Sequence, residues 1–96
     1  MTPEGKVKKK IIDWLKTLEC YYFTPIGSMY GRSGVPDIIV CMEGWFVGIE
    51  VKAPGRKGTQ TPLQKVTEEK IVRAGGQYFL VDSLEELKEE LKERLL

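Results

Sequence analysis

The chain has 96 residues, 42% of them apolar and 30% charged, enough for one modest soluble core and not for two. Its net charge is only +1, so attraction to a polyanion has to come from local clusters rather than from the whole chain. No histidine occurs, which excludes Ser–His and Cys–His nucleophilic pairs, histidine general bases and histidine-ligated metal. Hydrolysis, if any, must run on carboxylates, lysine and an oxygen-bound cation.

Taken in chain order, Thr2-Pro3 predicts a helix start, with threonine as cap and proline at the first helical position. Val7, Ile11, Trp14, Leu15 and Leu18 recur at helical spacing and mark the core face, while Lys6 to Lys10 read as a solvated face. Cys20 to Thr24 reads as a short strand. A glycine-rich, basic loop follows, carrying Ser28, Tyr30 and Arg32. Two β-branched runs then flank Glu43-Gly44, a two-residue hairpin signal.

Ala53 to Gln60 is a second basic loop with Arg56 and Lys57. Thr61 and Gln64 have the spacing of a capping box and open a helix that stops at Gly75-Gly76. Gln77 to Val81 reads as a fourth strand. Ser83 and Glu86 form another candidate capping box, opening a final helix with Leu84, Leu87, Leu91 and Leu95 in one stripe. The order is α-β-β-β-α-β-α in a single domain, 1–96. No apolar run is long enough to cross a bilayer, and the polar N-terminus lacks a signal-peptide core, so a cytosolic protein with no membrane partner is expected. Cys20 and Cys41, in apolar strand-like surroundings, read as reduced, buried thiols.

The chemistry concentrates in the hairpin. With the turn at Glu43-Gly44, Asp37 faces Glu50 on the same side of the sheet, with Cβ atoms roughly 5 Å apart. Like charges so placed repel, and acids embedded in apolar strands are costly, so a cation between them is the natural reason to keep both. Mg²⁺ suits one or two carboxylates together with substrate phosphates. Lys52 shares the face of Glu50, two residues along, where an ammonium can orient the attacking water or stabilise charge developing on phosphate. A three-residue turn would put the two acids on opposite faces and abolish the site. The competing reading makes Asp37 a turn cap and Glu50–Lys52 a structural ion pair.

This order, with Gly34-Val35-Pro36-Asp37 and Glu50-Val51-Lys52, resembles the PD-(D/E)XK nuclease superfamily, and more closely the small stand-alone VRR-NUC domain of viruses and bacteria. The resemblance covers nearly the whole chain. It implies a restriction-endonuclease-like α/β fold, an α-β-β-β-α-β core with a mixed central sheet flanked by helices and a C-terminal helix. It also implies an endonuclease dependent on Mg²⁺ or Mn²⁺. Asp37, Glu50 and the Val51 backbone carbonyl would hold metal, Lys52 would act on the water or phosphate, and Gln64 would stand where such domains carry a glutamine. Glu4 corresponds to their upstream acid, reaching the metal through water; otherwise it simply complements the first turn of its helix. Related stand-alone domains resemble Holliday junction resolvases and tend to be homodimers.

Arg32 and the Arg56-Lys57 pair lie in glycine-rich loops at the Asp37 and Lys52 ends of the hairpin, where backbone and arginine can approach phosphates. Ser28 joins them as a DNA-contact candidate, and Tyr30 either stacks on a base or packs. The expected function is hydrolysis of DNA phosphodiesters in branched structures such as four-way junctions, without sequence specificity. The alternatives are another nuclease on the same fold, restriction-like or exonucleolytic, and a non-catalytic DNA-binding module.

Overall fold

The computed structural model describes residues 1–26 and 34–95; Ser28, Tyr30 and Arg32 lie outside the described residues. The elements run α1 (Pro3–Leu15), β1 (Tyr21–Phe23), β2 (Ile38–Met42), β3 (Trp45–Val51), a 3₁₀ turn (Lys57–Thr59), α2 (Pro62–Arg73), β4 (Gln77–Val81) and α3 (Leu84–Arg94). The expected order therefore holds, with the short 3₁₀ turn added inside the second basic loop.

The hairpin sets the sheet. Glu43 and Gly44 adopt φ of 51° and 79°, the paired positive values of a tight turn whose twist matches its flanking strands. Pairing runs from Met42 opposite Trp45 to Ile38 opposite Ile49, the register expected from a two-residue turn. Strand order is β1-β2-β3-β4, antiparallel except for the parallel β3–β4 pair, which gives a mixed sheet. A parallel pair needs a crossover, and α2 supplies it.

Alternation along the strands then divides the two faces. Ile38, Val40 and Met42, Val47, Ile49 and Val51, and Phe79 and Val81 pack with Val7, Ile11 and Leu15 of α1 and Leu87 and Leu91 of α3. That face is the core. Leu84 and Leu95 lie partly buried at its edge, as does Trp14, whose ring has the Lys88 ammonium 5.5 Å from its centroid. Leu18, expected on the core stripe, is exposed because α1 ends at Leu15.

Asp37, Ile39 and Cys41, Phe46, Gly48, Glu50 and Lys52, and Tyr78 and Leu80 point to the other face, where α2 packs against β4. Away from α2 this face is left open, with Tyr21 71%, Phe23 48% and Phe46 50% exposed. Cys41 belongs to that open strip and is exposed, which corrects the expectation that both thiols are buried; Cys20 is half-buried.

Capping fixes where the helices begin and end. Thr2 Oγ1 accepts from Gly5 N at 2.9 Å ahead of Pro3. Thr61 and Gln64 form the expected reciprocal box. At the far end of α2, Gly75 (φ 96°) lets Gly76 N reach Ile71 O and Gly75 N reach Val72 O, a Schellman closure. The box expected at α3 is displaced. Ser83 Oγ accepts from Glu86 N at 3.1 Å, but Glu86 Oε1 accepts from Asp82 N rather than from the cap residue. Among the described residues no helix is long and apolar enough to cross a membrane.

Candidate active site

The turn register brings Asp37 and Glu50 together one step beyond the last ladder pair, Ile38 with Ile49. Asp37 Oδ2 accepts from Val51 N at 2.7 Å. In an extended strand a residue's N–H and C=O leave by the same edge, so the Val51 carbonyl also faces the Asp37 side. The opposite edge is committed to β4, where Lys52 N donates to Val81 O at 2.9 Å.

Glu50 is 3% exposed and Lys52 8%, the only buried charged residues among the described residues. Burial pushes the Glu50 carboxyl up to about 8, and the charge of Asp37 and a hydrogen bond with it act in the same direction; Lys52 and Tyr78 pull the other way. At neutral pH an acid in this state is held protonated by its surroundings, and a bound cation would favour its ionised form. The donor set, two carboxylates with a backbone carbonyl on the same edge, suits Mg²⁺ or Mn²⁺. Among the described residues no three His, Cys, Asp or Glu side chains are grouped to hold an ion. Glu4 is thus not brought together with Asp37 and Glu50; it sits exposed in the first turn of α1.

Gln64 ties the site to α2. Its Nε2 donates to Glu50 Oε2 at 2.8 Å, and its Oε1 accepts from Lys52 Nζ at 3.1 Å and from Thr61 N at 2.8 Å. One amide therefore completes the helix cap and fixes the spacing of the buried acid and the buried ammonium. Lys52 Nζ donates a second bond, to Thr59 O at 3.3 Å.

Glycines set the approach of the chain to this cluster. Gly34 has φ 84°, and a Cβ there would lie 2.6 Å from the Leu63 carbonyl group and 2.9 Å from Gln64 N. Gly34 thus lies directly on the first turn of α2, and only glycine allows it. At Gly48 a Cβ would meet Pro36 Cγ at 2.9 Å. The glycine in β3 makes room for the proline that delivers Asp37.

The basic candidates fare unequally. Arg56 is exposed in the loop beside Lys52 and has no ion-pair partner among the described residues. Lys57 forms a close ion pair with Glu86 of α3, and its side chain remains 40% exposed. One contact was not anticipated from sequence: Tyr78, 4% exposed, donates its hydroxyl to Glu50 Oε1 at 3.4 Å. The signal was available in principle, since a buried tyrosine on the Glu50 face needs a polar partner.

No family model matches the chain, and no curated protein sequence matches it. A solved structure described as "VRR_NUC domain" is similar to it at 28% identity and a TM-score of 0.81, covering 100% of this chain and 100% of that one. The likeness extends through the hairpin, α2, β4 and the C-terminal helix, so it includes every element that holds the cluster described above.

Proposed function

The chain belongs with the VRR-NUC domains, a nuclease-type fold, and on that premise we propose that it is a single-domain, divalent-metal-dependent endonuclease acting on branched DNA. The observation that carries this reading is the facing of Asp37 and Glu50 across the hairpin, with Lys52 beside them and both buried groups tethered by Gln64. A carboxylate kept as a stabilising salt-bridge partner would be lowered, whereas burial first, and then the facing Asp37 charge, push Glu50 up to about 8.

Asp37, Glu50 and the Val51 carbonyl would hold Mg²⁺ or Mn²⁺, with Glu4 in at most an outer, water-mediated position. When bound, the cation supplies Lewis-acid polarisation of the phosphate and a lowered pKa for the attacking water. The protein's own groups do the rest. Lys52 gives two of its three N–H donors to Thr59 O and Gln64 Oε1 and keeps the third for a phosphate oxygen as charge builds there. Gln64 holds the ammonium and the Glu50 carboxylate at fixed separation throughout. Asp37, less buried than Glu50, marks the open side on which substrate approaches.

Arg56 on the Lys52 side, with Arg32 and Ser28 in the segment before Asp37, is assigned to the DNA backbone, and Tyr30 to stacking on a base. Contacts of this kind read shape and charge rather than sequence, which fits branched DNA as the substrate and makes binding steeply salt-dependent. A homodimer would place two such sites together for two strands. The uncovered strip of Tyr21, Phe23 and Phe46, continuing to Leu63 and Val66 at 55% and 47% exposure, is apolar surface of the kind a second copy covers.

The test is cleavage of end-labelled four-way junctions, forks and duplex with Mg²⁺, Mn²⁺ or EDTA, alongside Asp37→Ala. Metal-dependent nicking near the branch point, lost in Asp37→Ala with the fold intact, is expected. Equal cutting by the variant, or binding without cutting under every metal condition, removes the endonuclease assignment; preference for duplex ends turns it into an exonuclease.

A further inference from the structure

We propose that Tyr78 is a positioning residue for the reaction, holding the Glu50 carboxylate in the orientation that receives the metal. The inference rests on the metal site proposed above and adds to it a residue on a different strand.

Tyr78 lies in β4 opposite Gly48 of β3, two pairs before Glu50–Leu80, so its ring and the Glu50 side chain share a face at diagonal positions. At Gly48 itself that face is taken up by Pro36 and Ile71, which a Cβ would meet at 2.9 and 3.2 Å. Each Glu50 oxygen then has its own donor: Gln64 Nε2 on Oε2 at 2.8 Å, and the Tyr78 hydroxyl near Oε1 at 3.4 Å. With one donor the carboxylate could swing about its last bond; with two from opposite elements, α2 and β4, its plane is set.

The Tyr78 hydroxyl on Oε1 therefore mirrors the Thr61–Gln64–Glu50 link on the other side of the carboxylate. Partners of this kind behind a metal-binding carboxylate orient it for the ion.

Tyr78→Phe removes the hydroxyl and keeps the ring in its buried place. Calorimetric titration with Mn²⁺ at pH 8 on wild type, Asp37→Ala and Tyr78→Phe separates this inference from its premise. Wild type is expected to bind Mn²⁺, Asp37→Ala to lose binding, and Tyr78→Phe to bind about tenfold more weakly. Metal-free melting of Tyr78→Phe should stay within a few degrees of wild type, while the Mn²⁺-induced rise in melting temperature shrinks. In cleavage assays the metal concentration for half-maximal rate should rise about tenfold, with the rate at saturating metal little changed. Unaltered Mn²⁺ affinity in Tyr78→Phe overturns the role of Tyr78 and leaves the site itself standing. Weaker binding accompanied by an equally large fall in metal-free stability also overturns it, since the tyrosine would then be only structural. Absence of Mn²⁺ binding by wild type, or full binding by Asp37→Ala, overturns the premise.

Discussion

Replacing Asp37 by asparagine removes one of two facing charges without removing a contact. Asparagine retains an oxygen for the Val51 N–H, so the 2.7 Å bond that locks residue 37 to β3 survives. In the metal-free protein above about pH 8, Glu50 ionises beside the Asp37 carboxylate. Two unit charges roughly 5 Å apart at an effective dielectric of about 20 repel by roughly 3 kcal/mol. Asp37→Asn should therefore gain roughly 1–3 kcal/mol at pH 9, a rise of about 5–15 °C in melting temperature for a domain of this size. At pH 5 Glu50 holds its proton and the gain should fall to near zero. The same linkage shapes the wild type. The folded protein keeps a proton on Glu50 that the unfolded chain releases near 4.5, so stability present below that pH is lost as pH climbs to about 8. That interval is worth roughly 4–5 kcal/mol, and Glu50→Gln should flatten it. The assay is thermal unfolding by circular dichroism in EDTA from pH 5 to 9, repeated with Mg²⁺. With metal the order should invert, because wild type gains an ion that Asp37→Asn holds poorly. A variant less stable than wild type at pH 9 without metal, or equally shifted at pH 5 and pH 9, would refute the repulsion and with it the need for a cation.

Other variants probe the neighbouring contacts. Gly34→Ala forces a Cβ to 2.6 Å from the Leu63 backbone at φ 84°, and should cost roughly 2–4 kcal/mol in denaturant unfolding with reduced cleavage. Lys52→Met should leave Mn²⁺ binding intact in calorimetry while cleavage falls at least about a hundredfold, the signature of a group needed only as phosphate charge develops. Gln64→Ala should cost about 1–2 kcal/mol through the lost cap contacts and also slow cleavage, since both Glu50 and Lys52 lose their tether. Arg56→Ala should weaken junction binding uniformly across DNA sequences and lower the salt slope by about 1 in a fluorescence titration.

Local chemistry made much of this legible before any coordinates. Glu43-Gly44 determined the hairpin register, and the register alone put Asp37 against Glu50. Thr2, Thr61 and Gly75 marked helix ends because capping depends on a few adjacent atoms. What escaped was set by packing between distant segments. Lys57 looked free until α3 brought Glu86 to it, and Glu86 in turn reached Asp82 instead of closing a box on Ser83. Cys41 looked buried because its strand is apolar, yet α2 crosses over β4 and leaves the β1–β2 side of that face open. Nothing local in Gln77 to Val81 singles out Tyr78, because its partner is contributed by β3 through a parallel pairing.

The most direct test is diffraction from crystals soaked in Mn²⁺, with anomalous differences collected at the manganese edge. One peak is expected between Asp37 and Glu50, with both carboxylates and the Val51 carbonyl at about 2.0–2.2 Å, within the range of a hard octahedral ion. A map without density between those oxygens, at Mn²⁺ concentrations that support cleavage, would contradict the assignment.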